Sequence, residues 1–205
     1  MYARLPSPEI SDLSSTGLLV YLLLINTFAG GEQKKRSIII PQISGLGSLA
    51  YILPKFLIYP LTMFVLSLAG LLVASGVSIV AFETNDVLLP AVFTAGSILG
   101  VYNMFYVCLH LALGTSTGKP GMSSAVCIVA SLLLPNFLAV VDATPSYNPF
   151  TMNLTAVSAL YGGEDVSSTL VAVAIALALM VAAYFIALFV QNANKIDNSG
   201  NEIII

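Results

Sequence analysis

Residues 166–190 read VSSTLVAVAIALALMVAAYFIALFV. This stretch holds no Lys, Arg, Asp or Glu. It exceeds the roughly 20 apolar residues that carry a helix across a hydrocarbon core of about 30 Å. Four further segments read the same way: 13–29, which is short, 56–81, 91–113 and 122–141. They are too long and too uniformly apolar for the alternating pattern of a barrel strand. A helix also bonds its own backbone groups, as lipid requires. The expected fold is all-α: a polytopic membrane bundle of about five transmembrane helices, forming one domain over residues 1–205.

Composition agrees. Apolar residues make up 58% of the 205 and charged residues only 8%, against about 25% charged in soluble domains. Residues 1–12 are polar, carry Pro6 and Pro8, and lack the apolar core of a signal peptide. Net charge is −3, and the few cations form no broad basic surface, so nucleic acid is not an expected partner. Cys108 and Cys127 fall inside apolar runs without CxxC spacing and read as small buried residues.

Charge sets the expected orientation. Lys34, Lys35, Arg36, Lys55, Lys119 and Lys195 fall on one side and only Arg4 on the other. Glu9, Asp12, Glu83, Asp86, Asp142, Glu164 and Asp165 lie opposite the basic side. The positive-inside bias places the basic loops in the cytoplasm. The N-terminus is then outside, the C-terminus inside, and the chain sits in the cell membrane.

The first basic loop, GGEQKKRSIIIPQISGLGSLAYILPKF at 30–56, is the most informative. A charged cluster precedes a semi-apolar stretch, 37–53, too broken to span and suited to a helix lying at the interface. Lys55 can anchor the next span at the headgroups. The long outer loop, 142–165, carries Pro145 and an Asn148–Pro149 pair. Proline breaks a helix there, and 150–161 is apolar enough to dip inward as a re-entrant or interfacial segment.

In this order of features the chain resembles the type-2 ATP-binding-cassette (ABC) permeases, the membrane subunits of many ABC exporters. Glu32, Lys34, Lys35, Arg36, Pro41 and Lys55 follow the order of the family's first cytoplasmic loop. The family's usual cluster is Glu-Arg-Glu and then Gly-Thr; this chain has Glu-Gln-Lys-Lys-Arg-Ser. Members usually have six spans, so the chain is expected to begin at the equivalent of their second. The resemblance implies a permease subunit without catalysis or cofactor of its own. Its partners would be an ABC ATP-binding subunit, a second permease copy or a second permease, and membrane lipid. It implies an ATPase-coupling set of Glu32, Lys34, Lys35, Arg36, Pro41, Gln42 and Ser44. The alternative for the cations is a topology signal at anionic headgroups. Two other functions stay open, a secondary transporter and a non-transporting assembly or immunity protein. The first predicts ion-binding residues in the spans and internal repeats; neither is visible.

Tyr102, Asn103 and Asn136 are intramembrane polar residues, candidates either for a pathway or for interhelical hydrogen bonds. Gly96 and Gly100 have the spacing that lets helix backbones approach. GTSTGKPG at 114–121 lacks the spacing and hydroxyl residue of a phosphate loop and reads as a turn. His110, the single His, reads as a polar residue near a helix end and cannot build a metal site alone. Asn153-Leu154-Thr155 fits a glycosylation pattern. No Asp lies in a span and no HExxH occurs, so the counting needed for intramembrane proteolysis fails.

Overall fold

The computed structural model describes residues 16–26, 48–82, 89–140, 147–160 and 166–201. The elements in chain order are α1 (Thr16–Asn26), α2 (Ser48–Phe82), α3 (Leu89–Thr117), α4 (Pro120–Val140), a 3₁₀ turn (Pro149–Thr151), α5 (Met152–Leu160) and α6 (Val166–Asn201). No strand occurs among the described residues. Helices α2, α3, α4 and α6 are long and apolar enough to cross a membrane. The chain is a helical membrane protein. The described part of the expected first span, α1, is too short to cross by itself.

Two boundaries move. The described part of the expected interfacial helix over 37–53, residues 48–53, is continuous with the span over 56–81: α2 is one helix from Ser48 through Phe82, and 37–47 lie outside the described residues. Pro54 and Pro60 are accommodated within it, each at the loss of one backbone bond. Lys55 lies on this helix, donating to the Tyr51 hydroxyl at 2.7 Å one turn back, over the Tyr51 ring. Helix α6 continues past residue 190, carrying Lys195 and Asp197 beyond the apolar stretch.

Helix α3 is the centre, packed by α2, α4, α5 and α6. In its most apolar stretch 67% of residues are buried, against 17–28% in the other three long helices. Two glycines explain the approach of α2. A Cβ on Gly100 would meet the Phe64 ring at 2.5 Å, and one on Gly96 would meet the Leu68 side chain at 2.8 Å. The Gly96/Gly100 pair is therefore a packing contact. Helix α1 inserts its fully buried Leu18 and Leu22 into the same core. The Tyr21 hydroxyl donates to the Tyr59 carbonyl of α2 at 2.8 Å.

Residues 114–121 split between helix and turn. Helix α3 runs through Thr117, Gly118 takes the left-handed φ of 63°, and α4 starts at Pro120. A left-handed glycine after a helix and a proline opening the next are the residues those positions favour. The result is a tight antiparallel α3–α4 hairpin.

Candidate functional site

Tyr102, Tyr106 and His110 recur every fourth residue on α3, which places them on one helix face. All are fully or almost fully buried. On α4 the antiparallel counterpart is Ser131, Cys127 and Ser123, also every fourth residue and buried. The hydrogen bonds fix the register. Tyr102 donates to the Ser131 carbonyl at 3.1 Å, and Ser123 meets His110 near the turn.

Pro135 explains the first contact. Lacking an N–H, it leaves the carbonyl four residues earlier, that of Ser131, without its helical donor. In a membrane interior a freed carbonyl needs another partner, and the Tyr102 hydroxyl supplies it. At the other end, the Ser123 hydroxyl donates to the His110 carbonyl at 2.6 Å. With its one hydrogen committed there, the 2.9 Å contact to Nδ1 requires the imidazole to donate. His110, about two turns before the end of α3, is an interior hydrogen-bonding residue.

Asn103, at the midpoint of α3, points to α2 and donates through Nδ2 to the Ser67 hydroxyl at 2.8 Å. Three buried polar atoms have no hydrogen-bond partner among the described residues: Asn103 Oδ1, the Tyr106 hydroxyl oxygen and Asn153 Oδ1. Tyr106 and Asn103 are three residues apart and so neighbours on the helix surface.

Residues 147–160, which follow α4 in the chain, also pack against α3. Asn148 caps the 3₁₀ turn: its Oδ1 accepts from Phe150 N at 3.0 Å, and its carbonyl accepts from Thr151 N and Oγ1 at 3.1 Å. Pro149 opens the turn with a preset φ and no donor to satisfy. This carries the Phe150 ring edge-on against Phe105 at 5.2 Å and Tyr106 at 6.3 Å. Both lie near the middle of α3. Helix α5 then packs along α3, with Met152, Asn153 and Thr155 buried. Burial of Asn153 closes the glycosylation reading for the folded chain.

No protein-family model, characterised protein or solved structure matches the chain.

Of the pathway candidates, Tyr102 and Asn103 lie in the interior, on faces of α3 turned to different neighbours. Asn136 is not brought to them. It is exposed on α4 and donates to the Leu132 carbonyl of its own helix at 3.0 Å. Its back-bond satisfies one of the two amide hydrogens within its own helix. The coupling candidates Glu32, Lys34, Lys35, Arg36, Pro41, Gln42 and Ser44 lie outside the described residues. Among the described residues no three His, Cys, Asp or Glu side chains converge as metal ligands. Both cysteines are free and buried. Sequence reasoning missed Tyr106, Ser123 and Phe150. Fourfold spacing of Tyr102, Tyr106 and His110, matched by Ser123, Cys127 and Ser131 across a tight turn, was the available signal.

Proposed function

We propose that the chain is the membrane subunit of an ABC exporter, coupling hydrolysis by a separate ATPase subunit to transport. The observation that carries the reading is α2. It begins at Ser48, within the loop whose order of Glu32, the basic cluster, Pro41 and Lys55 resembles the permease loop, and runs unbroken to Phe82. A push by an ATPase on 30–47 would be delivered to a continuous helical rod. That rod meets α3 where Gly96 and Gly100 allow close contact, so its tilt would move the central helix.

The rest of the reading follows the same frame. The chain crosses the membrane about five times, with 13–29 as the first span. The N-terminus is outside and the C-terminus in the cytoplasm. The segment 147–160 is re-entrant, entering from the outer side to mid-depth at Phe150. The self-capped Asn148 turn supports this, because irregular backbone at membrane depth must be satisfied within the protein. Two copies, or one copy and a second permease, form the pathway.

The test is co-purification with an ABC ATPase from the native membrane, followed by deletion of 37–47, which spares α2. The proposal expects the complex or its coupled hydrolysis to be lost. A demonstrated complex that remains intact and active after the deletion contradicts it.

A further inference from the structure

Helices α3 and α6 leave between them an apolar cavity of about 260 Å³. On α3 its wall includes Phe105, Leu109, Leu113 and Ser116; Met180 lies on the α6 side and Phe150 also lines it. The α3 residues follow a single helix face. Phe105 stands near the middle of α3, with Phe150 packed on it. Ser116 stands beside the Gly118–Lys119 turn.

The length of this groove is telling. From Phe105 to Ser116 the helix rises about 16 Å, and half of a hydrocarbon core is about 15 Å. A groove of this length matches the depth of one leaflet, from mid-membrane to headgroup level. It is continuous with the membrane-facing surface: Leu179 and Ile186 line it and are also 40% and 55% exposed. Water is a poor occupant, since a buried water needs several polar partners and Ser116 is the single hydroxyl residue of the lining. An empty groove would forfeit the packing contacts of its walls. At the headgroup end stands exposed Lys119, a cation suited to a lipid phosphate.

We propose that this groove is a binding site for one acyl chain of a phospholipid from the leaflet on the side of the Gly118–Lys119 turn. The chain terminus rests against Phe105 and Phe150, and the headgroup lies beyond Ser116. The site stands on depth and lining alone and does not require the ATPase reading.

The experiment uses the full chain in phosphatidylcholine liposomes doped with phosphatidylcholine bearing a photoreactive diazirine at the acyl-chain end. Adducts are mapped after irradiation. The control is Val129 on α4, exposed and, by the Tyr102–Ser131 and His110–Ser123 register, at nearly the depth of Phe105. Labelling of Phe105, Phe150 and Met180 is expected to exceed that of Val129 several-fold. Ala183→Phe, which fills the groove, should bring it down to the Val129 level while leaving Val129 unchanged. If that variant does not fold, Ala112→Leu narrows the opposite wall and should give the same loss. Labelling at Phe105 no greater than at Val129, or unchanged by a folded groove-filling variant, overturns the site.

Discussion

Helix α3 is the least apolar of the four long helices and the most buried, whereas α6 is the most apolar and turns most of its length outward. In a water-soluble protein the order would be reversed. Lipid is as apolar as a leucine side chain, so burying more leucine against another helix gains little. What lipid cannot supply is a hydrogen-bond partner or room for close backbone approach. Glycines, tyrosines, Asn103 and His110 therefore go to the centre, and Leu170, Val181, Phe185 and Phe189 of α6 face outward.

Four tests would break or sharpen this contrast. The largest effect is expected for Gly100→Leu, whose side chain would drive into Phe64. The loss should reach or exceed the upper end of the about 1–3 kcal/mol typical of overpacking, read as loss of monodisperse protein or as a lowered melting temperature. Gly70→Leu on α2, with open space at its Cβ position, should leave both nearly unchanged. Next comes Tyr102→Phe, which strands the Ser131 carbonyl freed by Pro135. A loss of about 1–2 kcal/mol is expected. Pro135→Ala restores a helical donor to that carbonyl, so Tyr102→Phe should cost less in its background. Equal costs in both backgrounds would remove the proline from the explanation. Third, a double-mutant cycle on Asn103→Ala and Ser67→Ala should show a coupling of about 0.6 kcal/mol, the average for interhelical hydrogen bonds in membranes. Smallest is Phe189→Ala on the outward face of α6, which should shift stability by no more than about 0.5 kcal/mol.

The four long helices were legible because each apolar run must match the membrane and carries no charge. The turn at Gly118 was legible from Gly and Pro, and the Gly96/Gly100 contact from spacing. The start of α2 at Ser48 was not. Proline at residue 54 and the mixed composition before it argue for a break that helical continuity overrides. The end of α6 was missed for a related reason: apolarity marks where lipid ends, not where a helix ends. The central role of α3 was also hidden, because hydropathy ranks it lowest among the four. Asn136 and Asn103 look alike in sequence, each an amide within an apolar run. One bonds back to its own helix and the other across to α2, a difference set by which face the neighbours cover. Phe150 reaches the centre through the geometry of the Asn148–Pro149 turn, which composition alone does not disclose.

The chain contains no Trp, so single-Trp variants report without background from native indoles. Tyr102→Trp on α3 and Phe185→Trp on α6 compare the two helices directly in bilayers of lipids brominated at successive acyl-chain positions. The account predicts strong quenching of Phe185→Trp at one bromine depth and little quenching of Tyr102→Trp at any depth. Quenching of Tyr102→Trp as strong as that of Phe185→Trp would place the α4-facing side of α3, away from the groove, in contact with lipid and contradict the arrangement of the bundle around it.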